Sequence, residues 1–269
     1  MIIDFHTHVF PDKIANKTIE MLSAKGGFSA MADGTVTGLI CKMEEAGVDA
    51  SVILPVMTSP TQFDSINNFA REINKRFENE ERRLISFAGI HPCCEELEAK
   101  MEWIASQGFL GIKIHPDYQG TYIDDERYIS IIKAAKLYDL IVVTHSGVDA
   151  GYRDADVRCT PKRVRRVIEE IGHSKLILAH YGASELLDEV YDTLAGLDVY
   201  FDTANTLAYI DEATFKKILK KHGADKILFA TDSPWSSIKN DVNTIRSFSL
   251  DKNTEDKIFS QNARELLGI

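Results

Sequence analysis

The sequence predicts an α/β fold: a (β/α)8 (TIM) barrel built as a single domain over residues 1–269. Three observations carry that reading. Eight short apolar or β-branched runs alternate with longer segments of helical period. Six of the eight histidines stand at the end of one of these runs or one to two residues beyond it. No linker, low-complexity stretch or shift in composition marks a boundary, and 269 residues match the roughly 250 of one such barrel.

The strand candidates are residues 2–5, 50–54, 84–90, 109–114, 140–144, 175–179, 198–201 and 226–230. Strands alternating with helices imply a parallel sheet, and eight units suggest closure. An open doubly wound sheet is the competing arrangement. It often carries a glycine-rich phosphate turn after its first strand, and no G-x-G-x-x-G follows here.

Between the strands, Phe63, Ile66, Phe69, Ala70, Ile73 and Phe77 stripe one helix face, and Leu97, Met101, Ile104 and Ala105 another. Thr160 and Pro161 read as cap and first turn of a helix carrying Val164, Val167, Ile168 and Ile171, with Gly172 just past its end. Asp211 caps a helix with Phe215, Ile218 and Leu219. The last helix carries Ile258, Phe259, Ala263, Leu266 and Leu267. The 9–37 connection is long, with Ile14, Ile19 and Leu22 suggesting a short helix inside it. Connections of this length are usually lids or binding loops.

Composition excludes several classes. The formal net charge is −10, which argues against nucleic acid and anionic membranes as partners. No apolar run approaches a membrane span. The amino-terminal residues lack the regions of a secretory signal. Cys41, Cys93, Cys94 and Cys159 show neither C-x-x-C nor disulfide spacing, so free thiols and a cytoplasmic protein are expected.

The strand ends carry the chemistry. Carboxyl ends of all barrel strands meet on one rim, so His6, His8, His91, His115, His145 and His180 are expected to gather there. His6 and His8 lie two apart on a strand and share a face. Neutral imidazole is the commonest metal ligand. Asp232 closes a fully apolar strand and reads as a metal ligand, a general base, or both.

Together the motifs D-F-H-T-H (residues 4–8), G-I-K-I-H-P (111–116), T-H-S-G (144–147), A-H-Y-G (179–182) and T-D-S-P-W (231–235) resemble the amidohydrolase superfamily. The resemblance is to its amidohydrolase-2 branch of metal-dependent barrel hydrolases, which also contains aminocarboxymuconate-semialdehyde decarboxylase. It covers nearly the whole chain. It implies that His6, His8, His145 and Asp232 bind a divalent metal, zinc first and manganese second, one ion rather than two. It implies catalytic roles for Asp232 and His180. In a two-ion site, His145 and His180 would share the second ion, and Lys113 would bridge as a carbamate. Lys113 and His115 otherwise read as substrate-binding, with Arg153, Arg158 and Trp235 as further substrate contacts. Asp202 and Asn205 are read as substrate contacts or helix caps.

The function these residues imply is a hydrolase using a metal-activated water on a small ester, lactone or amide. A non-oxidative decarboxylase acting on a small carboxylic acid is the alternative, and a non-catalytic binding protein on the same barrel the third reading. The partner is a small-molecule substrate, with a homodimer expected by analogy with the family.

Overall fold

The computed structural model describes residues 1–80, 83–173 and 175–269. Its strands are β1 (Ile3–Thr7), β2 (Ala50–Ile53), β3 (Arg83–Ser86), β4 (Ala88–Gly89), β5 (Gly111–Ile114), β6 (Ile141–Thr144), β7 (Leu176–Leu178), β8 (Tyr200–Asp202) and β9 (Ile227–Leu228). All pairings between them are parallel, in the order β1-β2-β3 and β4-β5-β6-β7-β8-β9.

The ring closes at two seams. Phe5 N–H donates to Phe229 O and Asp232 N–H to His6 O, at 2.9 and 2.8 Å, joining β1 to the chain beyond β9. β3 and β4 are two halves of the one expected third strand, separated by Phe87. The first half pairs with β2 and the second with β5. Eight barrel strands result, as the sequence predicts.

The helix Phe63–Phe77 covers the third strand and splints it. Asn74 donates to Ser86 O and accepts from Ser86 N–H, at 2.9 and 2.6 Å. Asn67 does the same with Gly89, at 3.0 and 2.8 Å. Two amides on one helix face satisfy backbone groups that a changing sheet partner would leave unpaired.

Apolar residues fill two layers. Ile3, Phe5, Val52, Phe87, Ile141, Val143, Ile177, Leu228 and Ala230 alternate along successive strands and fill the barrel, floored by Ala263 and Leu267 of the final helix segment Asn262–Leu267. Ile53, Ile112, Val142, Leu178, Phe201 and Phe229 pack against the helices in the outer layer. Gly111 is needed beside the barrel filling, since a Cβ there would lie 2.5 Å from the Phe87 ring and 2.6 Å from Ile141 O.

The register of β1 slips by one residue. Asp4 pairs with Ser51 and Thr7 with Ile53, so three steps on β1 match two on β2. Simple alternation from the inward Ile3 and Phe5 would turn His6 outward. The slip turns His6 and His8 inward instead, which is what a bulge beside a functional site does. Asp4 holds the slip: its Oδ1 accepts from His6 N–H at 3.2 Å and Thr231 N–H at 3.0 Å, and its Oδ2 lies 2.6 Å from Thr231 Oγ1.

The remaining helices agree with their sequence signals. Thr160 caps Pro161–Ile171 through Arg163 N–H, with Gly172 left-handed at its end. Asp211 caps Glu212–His222 through Thr214 N–H. The 9–37 segment holds the expected helix, and it is longer than expected: Asp12–Gly26 spans 15 residues. It roofs the mouth of the barrel, and only Ala15 of it is buried. Among the described residues no helix is long and apolar enough to cross a membrane. All four cysteines are free.

Candidate metal centre and active site

The carboxyl ends of the strands open into a cavity of about 730 Å³. Its floor is polar, with His6, His8, Lys113, His115, His145, His180 and Asp232. Its walls are largely apolar, with Phe10, Met21, Leu22, Phe28, Phe69 and Trp235 among them. A second cavity of about 380 Å³ lies beside Phe109, Leu140 and Leu267 and contains none of the histidines.

Three donor atoms converge on this floor. His6 Nε2 and His8 Nε2 are 3.2 Å apart, and Asp232 Oδ1 lies 3.4 and 3.0 Å from them. The tautomers follow from the other ring nitrogens. His8 Nδ1–H donates to Leu54 O at 2.7 Å, and His6 Nδ1–H donates to Asp202 Oδ2 at 2.8 Å. Both Nε2 atoms are then bare lone pairs when the rings are neutral. Burial first, then the Lys113 ammonium, holds His6 well below the usual histidine range, which keeps it neutral. Burial alone would raise the Asp232 carboxyl. Positive charge on His6, His8 and His180 and a bond from His8 outweigh burial and hold it below the usual carboxylate value, a lowering that belongs to the protonated rings. Two bare nitrogens and a carboxylate facing one another share no proton, and a divalent cation satisfies all three. Two imidazoles plus one carboxylate is a donor set suited to zinc or manganese, so the residues fit a metal.

His145 stands apart from this set. Its ligand atoms group instead with those of His115 and Asp149, all within 4.8 Å of one another. That second group is a poorer chelate. The His115 and His145 rings are stacked at 4.2 Å and 8°, so their in-plane lone pairs run side by side rather than converging. His145 Nδ1 lies 2.9 Å from His180 Nε2, and His180 Nδ1–H donates to Ala204 O at 2.9 Å. His180 is therefore interposed between His145 and the three-residue cluster, its ring 5.6 Å from that of His6. His145 Nε2 and Asp117 Oδ2 are buried without hydrogen-bond partners, 3.8 Å apart.

Lys113 is wholly buried, its Nζ 3.2 Å from His6 Nε2. Burial pulls its ammonium down to about 8, and Asp202 and Asp232 resist the fall. His115 lines the cavity and packs edge-on to Tyr118. Trp235 lines it too, edge-on to Phe28 at 5.1 Å. Arg153 reaches the rim, where it is more than half exposed and bonded to Glu185. Arg158 is not among the cavity-lining residues. It pairs with Asp117, whose carboxyl burial pushes up to about 6. His91 accepts from Cys93 N–H and is likewise outside the lining.

Two carboxylates had little or no weight in the sequence. Asp202 closes β8 fully buried and binds His6, His180 and Ala204. A lone acid ending an apolar strand is the same signal that marks Asp232, so it was available. Asp149 sits in the 3-10 turn region after β6, capping Ala150–Tyr152, and carries only a cap signal.

Residues 3–269 match the family model described as Amidohydrolase. No curated protein sequence matches the chain. Among solved structures it is similar to an uncharacterized TIM-barrel protein from Bordetella bronchiseptica, with a TM-score of 0.77, 16% identity, and 99% of this chain and 98% of that one covered. It is also similar to 5-carboxyvanillate decarboxylase from Novosphingobium aromaticivorans complexed with manganese (0.76, 14%, covering 100% and 96%). A third similar structure is 2,6-dihydroxybenzoate decarboxylase from Rhizobium (0.69, 15%, covering 99% and 98%). At these identities the likeness establishes the fold, a (β/α)8 barrel along the full chain. The family match runs from the first strand, which holds His6 and His8, to the last residue, and on it this chain belongs to the amidohydrolase family.

Proposed function

We propose that the chain is a metal-dependent lyase that removes carbon dioxide from a small, planar carboxylic acid. The observation that carries this reading is the convergence of His6 Nε2, His8 Nε2 and Asp232 Oδ1 beside one buried ammonium, under apolar walls. His6, His8 and Asp232 would hold one zinc or manganese ion. When bound, such an ion supplies Lewis-acid polarisation of a substrate oxygen.

The chain's own groups supply the rest. The Lys113 ammonium, with its pKa at about 8, stays largely charged at neutral pH and pairs with a carboxylate. Trp235, Phe28, Phe69 and Leu22 exclude water from the ring or chain that carries that carboxylate. Asp232, held ionised, would take up a proton and deliver it to the carbon that loses carbon dioxide, where the electron pair of the broken C–C bond accepts it. The solved decarboxylases of like fold, one of them with manganese, support the reading.

Hydrolysis of a small ester, lactone or amide is the second reading, favoured by a separate observation. Lys113 stands beside His6, and His145 beside His180, so a carbamate on Lys113 together with these histidines would supply donors for a second ion, as in a two-metal hydrolytic site. The two readings part in one experiment. Protein loaded with manganese or zinc is offered a panel of small aromatic and unsaturated acids, esters, lactones and amides. Carbon dioxide release, with deuterium from D2O at the carbon that lost it, is the expected result. Acid release from esters or amides alone would move the assignment to hydrolysis. No turnover of any member, by protein shown to hold metal, would refute both. The His6→Ala, His8→Ala double variant is expected to lose metal and turnover together.

A further inference from the structure

We infer that Asp202 is a positioning residue that makes His6 a metal ligand and fixes His180 with the same carboxylate. The inference rests on the metal site of the preceding proposal, and it concerns a residue outside the His6–His8–Asp232 cluster.

Asp202 ends β8 with no solvent exposure. Its two oxygens have separate duties. Oδ2 accepts from His6 Nδ1–H at 2.8 Å, while Oδ1 accepts from His180 N–H at 2.9 Å and Ala204 N–H at 3.1 Å. The first bond decides which His6 nitrogen carries the proton, and leaves Nε2 bare toward His8 and Asp232. The second pair of bonds holds the turn in which His180 and Tyr181 adopt left-handed backbone, with φ of 62° and 55°. From that turn His180 Nδ1–H reaches Ala204 O. One side chain therefore sets the tautomer of a ligand on β1 and the ring direction of a histidine after β7. Carboxylates that accept from the outer nitrogen of a ligating histidine typically change metal affinity 10–100-fold when lost.

The asymmetry of the two oxygens makes Asp202→Asn a sharp test. Oδ1 receives two backbone N–H groups, so the amide oxygen of asparagine must take that place. The amide NH2 then faces His6 Nδ1, which can only accept from it. The ring proton moves to Nε2, where it donates to Asp232 Oδ1 and occupies the position the ion needs. The turn that holds His180 keeps its two bonds, so the fold is retained. Asp202→Ala removes both duties and serves as the contrast.

Three measurements decide it. Long-range 15N–1H spectra of the imidazoles, on chelator-treated protein, report the His6 tautomer. Zinc affinity is measured by competition with a chromophoric chelator. Thermal melting of the chelator-treated protein reports the fold. For D202N we expect His6 to change from Nδ1–H to Nε2–H, zinc affinity to fall about 10–100-fold, and the melting temperature to stay near wild type. D202A should lose affinity and also melt lower. Unchanged zinc affinity in D202N, or a wild-type His6 already protonated at Nε2, would overturn the inference. A wild type that binds no zinc refutes the metal site of the proposed function instead, and the tautomer comparison still decides the role of Asp202.

Discussion

Asp4 offers the most direct test of how the first strand is built. Its carboxyl is wholly buried, and burial raises its pKa from 3.8 to about 8 against the opposing bonds from Thr231 and His6. The folded protein therefore binds a proton at Asp4 that the unfolded chain releases above about pH 4. The contribution is fully present below the unfolded pKa and is lost as pH rises toward 8. A difference of about four pKa units corresponds to about 6 kcal/mol over the whole window, or about 1.4 kcal/mol per pH unit inside it.

Asp4→Asn removes the titration and keeps the geometry. The amide oxygen can accept from His6 N–H and Thr231 N–H, and the amide NH2 can donate to Thr231 Oγ1. Urea unfolding of chelator-treated wild type and variant at pH 5 and pH 7.5 isolates this group, because Asp241 and Asp117, raised to about 7 and 6, titrate in both. The stability of the variant relative to wild type should rise by about 3 kcal/mol between the two pH values. Parallel pH dependence in the two proteins would refute the protonated, buried Asp4 and the account of the β1 slip that it supports.

Other substitutions probe separate features. Gly147→Ala places a Cβ 2.2 Å from Ser184 N at a φ of +86°, so a loss of about 3 kcal/mol or more is expected; a melting temperature within two or three degrees of wild type would contradict the close approach. Asn67→Ala strips both bonds from Gly89 and should cost about 3 kcal/mol, read by denaturant midpoint, whereas a neutral result would remove the splint from the fold's account. Arg153→Ala breaks a solvent-exposed pair with Glu185 and should change stability by less than about 0.5 kcal/mol. A rise in KM with unchanged kcat in that variant would place its guanidinium on the substrate, and unchanged KM would confine it to the rim.

The barrel was legible because most of its strands are buried on both faces, and strands of that kind read as unbroken apolar runs. The caps at Thr160 and Asp211 were legible for local reasons, since hydroxyl and carboxylate caps act within three residues. The break at Phe87 was not, because a change of sheet partner leaves no mark on the strand itself. The length of the roof helix is not legible in the sequence because Ile14 and Met21 face the cavity mouth and solvent, so its apolar spacing lacks a core to answer to. The site was legible as a set of strand ends. Alternation alone would have turned His6 outward from Phe5, and spacing on separate strands could not place His180 between His145 and the His6–His8–Asp232 cluster. Arg153 and Arg158 follow the same strand within five residues of each other, yet one meets the rim and the other Asp117. Loop conformation decides that, and residue type does not encode it.

The one-residue slip in β1 has a consequence for how such a chain can change. Below it, Ile3 and Phe5 answer to the packing of the barrel; above it, His6 and His8 answer to the chemistry of the mouth. A regular strand would tie the two together, since any shift that suited one would turn the other to the wrong face. The slip acts as a joint between two independently adjustable halves of one strand. Foundation and workplace can then drift separately, and Asp4 is the pin that keeps them aligned.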